Sequence, residues 1–255
     1  MTRAAGVDVE QLRAMASDDV MRVAGQHAAT AQLHFVPVAD DSLIPRRPDD
    51  AVATGSYNDS PLLTGITADE GSSMFTDYRP STYKEYRESV EKYYGAFSSQ
   101  LLELYSSADP AIAAAQLARD RDIVSMLLWT EKRRARSSHP VYAYLFAHVE
   151  PGPECALYGS FHSSEIPYIF GTLGKATNRT FTKVDYSLSA TMSQYWVNFV
   201  SSGNPNGETL PHLPHWPSFD TNARLMVFGD VAKASSVVTE ERMWTWREYF
   251  QAGGK

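Results

Sequence analysis

Two short loops in this sequence carry residues able to move a proton. One is Ala68-Asp69-Glu70-Gly71, directly after the apolar run Leu62-Leu63-Thr64-Gly65-Ile66-Thr67. The other is Gly159-Ser160-Phe161-His162-Ser163-Ser164-Glu165, which follows the aromatic and β-branched run from Val141 to Val149. If both runs are parallel strands, their carboxyl ends lie side by side, the place where open α/β sheets collect reactive groups. A carboxylate from one end could then hold the tautomer of an imidazole from the other, leaving the imidazole as general base. Asp69 and Glu70 are both candidates for that carboxylate, and pattern alone separates them only in that neighbouring side chains point opposite ways. A nucleophile is harder to find. No Gly-x-Ser-x-Gly turn occurs in these 255 residues, nor a Walker loop, a dinucleotide fingerprint or His-Glu-x-x-His.

The other histidines have weaker claims. His212-Leu213-Pro214-His215 lacks a third ligand and is interrupted by a proline, so no zinc site is expected there. His27, His34, His139 and His148 read as structural or solvated, and Trp196, Trp216, Trp244 and Trp246 read as core. Asn178-Arg179-Thr180 matches a glycosylation acceptor, a pattern common by chance. No metal and no cofactor is expected.

The elements that must position these groups follow from periodicity. Residues 7–29 predict a helix split at Ser17-Asp18-Asp19, followed by an extended piece from Leu33 to Val38 and a surface loop from Asp40 to Asp50. Leu62–Thr67 predicts a strand buried on both faces. Helices are predicted over Tyr83–Tyr94, Ser98–Tyr105 and Pro110 to about Arg136. The last begins at the cap pair Asp109-Pro110 and ends in Lys132, Arg133, Arg134 and Arg136, cations that suit a helix C-terminus. Further along come the strand Val141–Val149, a Gly/Pro-rich loop over 151–164, a helix from about Asp185 to Ser201 stopped by Gly203, a strand Leu225–Gly229 and a helix Glu240–Gln251. Strands alternating with helices predict an α/β fold with parallel strands and long helical insertions, taken as one domain over 1–255.

Composition bounds the function. With 23 Lys and Arg against 30 Asp and Glu, the net charge is −7, which disfavours nucleic acid as a partner. Cys155 is the single cysteine, so neither an internal disulfide nor a thiolate metal cage can form. No apolar run reaches the ~20 residues of a membrane span, and the opening Met-Thr-Arg-Ala-Ala-Gly lacks the apolar core of a secretory signal.

Several stretches, in this order, resemble the type-B carboxylesterase family. They are Phe35–Asp40, Gly65-Ile66-Thr67-Ala68-Asp69-Glu70-Gly71, Val141–Phe146, His162-Ser163-Ser164-Glu165-Ile166-Pro167-Tyr168-Ile169-Phe170-Gly171, Trp196–Asn206 and His215-Trp216-Pro217. The resemblance is to the family's C-terminal half. It implies an α/β-hydrolase fold without the nucleophile strand, with Glu70 as triad acid, His162 as general base and Glu165 as a supporting acidic residue. Ser73, Met74 and Phe75 would line the substrate pocket. Ser73 stands where cholinesterases place an aromatic for the choline cation, and a serine supplies no cation–π contact. The implied function is hydrolysis of a small carboxylic ester through a Ser-His-Glu triad whose Ser lies outside this chain. The alternative is a non-catalytic binding module on the same scaffold. The resemblance also implies that Leu62–Thr67 is an open sheet edge, completed by an N-terminal half or by a second copy of the chain.

Overall fold

A computed structural model describes residues 6, 8–31, 37–74, 78–207, 213–219 and 223–254, with the backbone alone for 27–31. Phe75, His34, His212, the side chain of His27 and most of the extended piece Leu33–Val38 therefore lie outside the described residues. The chain forms two compact units, Met1–Ala51 and Val52–Lys255.

The first unit holds α1 (Val9–Ala14) and α2 (Ser17–Ala31). Asp8 caps α1 through a capping box with Gln11, and α1 stops at Met15, whose backbone is extended. Asp18 and Asp19 then occupy the first turn of α2, as the split at Ser17 requires. The loop predicted over Asp40–Asp50 is shorter than expected, because α3 begins at Pro48 and runs to Thr54. Pro48 followed by Asp49 and Asp50 is a helix start, with a preset φ and acids at the positive end of the dipole.

The second unit is built on a four-stranded sheet. β1 (Leu62–Thr67) is followed by α4 (Tyr83–Tyr94), α5 (Ser98–Leu104) and α6 (Pro110–Arg134) before β2 (Val141–Phe146). Two single-turn helices, α7 (Cys155–Tyr158) and α8 (Ile166–Ile169), lead into α9 (Lys183–Ser202). β3 (Arg224–Phe228), β4 (Ala232–Ser236) and α10 (Glu240–Gln251) complete it. The strand order is β1-β2-β3-β4, with β1, β2 and β3 parallel and β4 antiparallel to β3. Sequence reading missed β4: its Ala-Lys-Ala-Ser-Ser has little β propensity, and its pairing with β3 holds it in the sheet.

β2 is the sheet's centre, with all six residues buried. Its alternation divides the core in two. Val141, Ala143 and Leu145 pack with Leu117, Val124, Leu127 and Trp246 of α6 and α10, while Tyr142, Tyr144 and Phe146 pack with Leu188, Met192 and Tyr195 of α9 and with Trp216. Trp196 joins the second cluster, but Trp244 is 64% exposed and is not core as predicted. On a helix, side chains two positions apart leave on nearly opposite sides, so with Trp246 turned into the core Trp244 faces out.

β1 departs from expectation. Only Thr67 is fully buried, and the other five residues are half-covered. Among the described residues β1 pairs with β2 alone, so one flank has no strand beside it. Gly65 permits close approach to β2, since a Cβ there would overlap the Tyr144 ring. Gly65→Ala is therefore expected to cost about 1–3 kcal/mol of overpacking strain. A urea midpoint equal to that of the unaltered chain would contradict this. The strand's entry is fixed by Arg133, which is buried and pairs with Asp59 at 2.7 Å and with the Ser60 carbonyl. Arg133 thus does more than complement the helix dipole.

Candidate active site

The ends of β1 and β2 bring the two loops together. β1 finishes at Thr67, and the Ala68 N–H donates to the Phe146 carbonyl at 2.8 Å, so the chain turns out of the sheet level with the end of β2. The segment after β2 passes through α7, reverses at Gly159 in a left-handed conformation (φ 62°), and returns beside the first loop, where Asp69 forms a parallel bridge with Phe161.

Glu70 and His162, 92 positions apart in sequence, meet there: the His162 Nδ1–H donates to Glu70 Oε1. The acceptor is a carboxylate, so the proton of the neutral ring lies on Nδ1 and Nε2 is left as the basic nitrogen. Glu70 is held from behind, its Oε2 accepting from the Thr67 N–H at 2.8 Å and the Thr67 hydroxyl at 2.7 Å. The His162 side chain is half-exposed, and among the described residues its Nε2 edge meets no hydrogen-bond partner. Asp69, the other candidate acid, faces away from the ring. Its Oδ2 accepts from the Ser160 N–H at 2.9 Å. What composition could not separate, the direction of two adjacent side chains does.

Partial burial alone would raise the Glu70 carboxyl, but the hydrogen bonds from His162 and Thr67 outweigh it and hold the group below the usual carboxylate range. The bond to Glu70 pushes His162 above its ordinary value, against an opposing effect of burial. The His162 contribution to stability is complete below the ordinary 6.5 and is lost as pH rises through the raised value; the Glu70 contribution is complete above the ordinary 4.5 and is lost as pH falls through the lowered one. Both act together between those two values. Folding stability should therefore carry a shoulder in that window that Glu70→Gln removes. Urea midpoints across about pH 3 to 9 measure it, and superimposable profiles for the two proteins would contradict the pairing.

Glu165 lies near the pair. Its Oε1 accepts from the Tyr144 hydroxyl at 3.4 Å, its Oε2 is buried, and burial raises its carboxyl above the usual range. Ser73 and Met74 are exposed just beyond Glu70, while Phe75 lies outside the described residues. A cavity of about 1020 Å³ is bounded by Asp69, Tyr78, Arg79 and Tyr158, and none of Glu70, His162, Ser73 and Met74 lines it.

His148, read from the sequence as structural or solvated, is structural. It is buried, with Nε2 2.9 Å from Asp185 and Nδ1 2.8 Å from Asp230. Asp185 further accepts from the Tyr168 hydroxyl at 2.6 Å and from Thr182. The partners come from three separate segments, and no local spacing announces them. Among the described residues no three His, Cys, Asp or Glu side chains are placed to hold a metal ion, and no helix is long and apolar enough to cross a membrane.

Comparison with known proteins adds an independent line. The model of the carboxylesterase family matches residues 5–246. Fumonisin B1 esterase of Sphingopyxis macrogoltabida is 28% identical over 240 residues, 88% of this chain but 43% of that protein. Para-nitrobenzyl esterase of Bacillus subtilis (strain 168) is 25% identical over 246 residues, 92% of this chain and 48% of that protein. The chain thus spans about half the length of these relatives. Among solved structures, a carboxylesterase of Geobacillus stearothermophilus superimposes with a TM-score of 0.73 at 21% identity, over 96% of this chain and 52% of the other.

Proposed function

This chain belongs to the carboxylesterase family and has the fold of the α/β-hydrolases, and from that premise we propose that it contributes the acid and the base of a site that hydrolyses carboxylic esters. The observation that carries the reading is the hydrogen bond between Glu70 and His162 at the ends of adjacent parallel strands, with no partner at the basic Nε2 among the described residues.

In this reading a serine from outside these 255 residues attacks the ester carbonyl and passes its proton to His162 Nε2. Glu70 stays ionised and stabilises the imidazolium. As the tetrahedral intermediate collapses, His162 returns the proton to the departing alkoxide; water then repeats both transfers to release the acid. Donors for the oxyanion come with the serine. Glu165 adds a second carboxylate near the ring, and Ser73 and Met74 border the ester. With serine at position 73 a neutral ester fits better than a choline ester, since no aromatic stands there for a cation. The relatives' names mention different esters, so the substrate is proposed as a class.

The free flank of β1 is the proposed docking edge for the strand that brings the serine, from a complementary N-terminal portion. A homodimer through the same edge is the competing arrangement, and it would supply no nucleophile. A fluorophosphonate probe tests the scheme by labelling activated serines. We expect no labelling of the 255-residue chain alone, and labelling once it is mixed with the N-terminal portion of a related esterase that carries Gly-x-Ser-x-Gly. Labelling that persists unchanged when this chain carries His162→Ala would refute the assignment of the base.

A further inference from the structure

Among the described residues the imidazole of His162 has one side-chain hydrogen-bond anchor, Glu70, and it stands half-exposed on a loop. Its placement therefore depends on how the two loop backbones are held, and several of the contacts that hold them meet at Asp69 and Ser160. Asp69 binds Ser160 twice: its N–H donates to the Ser160 carbonyl at 3.0 Å, and its carboxylate accepts from the Ser160 N–H at 2.9 Å. Ser160 is 1% exposed, and its hydroxyl donates to the His148 carbonyl at 2.9 Å, tying the same point to the end of β2. One turn further, the Ser72 hydroxyl donates to the Tyr158 carbonyl at 2.6 Å.

Gly159 belongs to the same device. Its left-handed backbone and the space beside it are both needed, because a Cβ there would run into the Asp69 carboxylate. Beyond His162, Ser163 also adopts a left-handed conformation (φ 70°), unusual for a residue with a side chain. His162 thus lies between a backbone clamped at Ser160 and a strained turn at Ser163. Burial raises the Asp69 carboxyl, partly offset by the Ser160 N–H and by Arg119. Among the described residues its carboxylate accepts from the Ser160 N–H, its backbone carbonyl accepts from the Ser72 N–H at 2.9 Å, and none of its hydrogen bonds goes to the reacting pair.

We propose that Asp69 is a positioning residue: by clamping the Ser160 backbone it holds the His162 ring against the Glu70 carboxylate and keeps the imidazole in the tautomer a general base needs. This rests on the reading of Glu70 and His162 as an acid–base pair, and it assigns to the neighbouring acid a separate task. Asp69 acts on the loop, and Glu70 acts on the ring.

The test uses the 255-residue chain labelled with ¹⁵N-histidine, with the His162 signals identified by their loss in His162→Ala. Ring-nitrogen shifts are followed across about pH 5 to 9, bracketing the ordinary histidine value. In the unaltered chain His162 should titrate above 6.5 with the neutral ring protonated on Nδ1. Asp69→Ala should move the midpoint back towards 6.5 and even out the two tautomers. Asp69→Asn, whose amide oxygen can accept the same N–H, should restore the original behaviour. A purely structural role would lower the melting temperature of Asp69→Ala and leave the His162 titration in place, which would overturn the proposal. If Asp69→Ala does not fold, Asp69→Ser decides, since it keeps a polar group in this buried place but is one bond too short to hold the Ser160 N–H as the carboxylate does. A shift towards 6.5 supports the clamp, and an unmoved midpoint overturns it. Glu70→Gln separates the two levels of the argument. If it too leaves His162 unmoved, the acid–base pair itself fails; if it moves His162 and the clamp variants do not, the clamp alone fails.

Discussion

Supplied with an N-terminal portion that carries a nucleophilic serine, the chain is expected to hydrolyse p-nitrophenyl acetate, and His162→Ala is expected to lower that activity by about 10⁴-fold or more. Without Nε2 the serine stays a hydroxyl, and the loss covers both its activation and the protonation of the leaving group. Glu70→Gln should cost about 10³- to 10⁴-fold for a different reason. A glutamine amide can donate to Nδ1, which drives the ring proton to Nε2 and blocks the atom that must accept. The wild-type assembly should lose rate on the acid side as His162 becomes protonated, with the midpoint above the ordinary 6.5 because Glu70 favours the charged ring. Alone, the 255-residue chain should show no turnover above its own His162→Ala variant. Turnover of the lone chain that disappears in His162→Ala would place a nucleophile within these residues, with Ser160 and Ser163 the first to replace. An assembly that folds cooperatively, binds the probe ester and shows no hydrolysis would favour the binding-module alternative.

Trp216→Ala should produce the largest loss of stability. Trp216 is fully buried, and its ring packs edge-on against Tyr195 (5.2 Å between centroids) and Phe228 (5.4 Å). Its indole N–H donates to the Ala143 carbonyl of β2 at 3.0 Å. Its backbone is held by Asn206, which accepts from the Trp216 N–H at 2.8 Å and donates to its carbonyl at 3.0 Å. Removing so large a side chain typically costs about 3–5 kcal/mol, and the broken hydrogen bond about 1 kcal/mol more. Against a total stability of about 5–15 kcal/mol, the variant should melt on the order of 10 °C lower or fail to fold cooperatively. Near-ultraviolet circular dichroism followed with temperature measures this. Trp216→Phe should recover part of the loss by filling the cavity without restoring the donor. Equal melting of Trp216→Ala and the unaltered chain would mean that the cluster behind β2 is not a cooperative part of the fold.

Local sequence determined a good deal of this protein. Tyr83–Tyr94 and Glu240–Gln251 are helices over the predicted residues, because periodicity and the caps Thr82 and Thr239 act within one or two turns. Leu62–Thr67 and the first six residues of the predicted Val141–Val149, where the strand ends at Phe146, were legible as strands for the same reason: β propensity is concentrated there and turn residues bound it. Alternation along β2 even determined which side chains face each half of the core. The resemblance pointed to Glu70 and His162 together, whereas spacing alone left Asp69 and Glu70 equivalent.

Tertiary structure decided the rest, wherever a property belongs to two distant segments at once. β4 exists because β3 offers it an edge, although its own residues carry little strand signal. The half-exposure of β1 reflects which strands lie beside it, a matter of sheet order that the run Leu-Leu-Thr-Gly-Ile-Thr cannot encode. Arg133 looked like a helix-end cation until Asp59 and Ser60 proved to be its partners. Asp69 and Glu70 acquired separate tasks only when Ser160 and His162 arrived from 91 and 92 positions away. The physical reason is common to all of these. Helix and strand preferences are energies of neighbouring residues, readable in a short window, whereas a hydrogen bond across loops, a buried ion pair or an open sheet edge depends on which backbones the fold places within about 3 Å of each other.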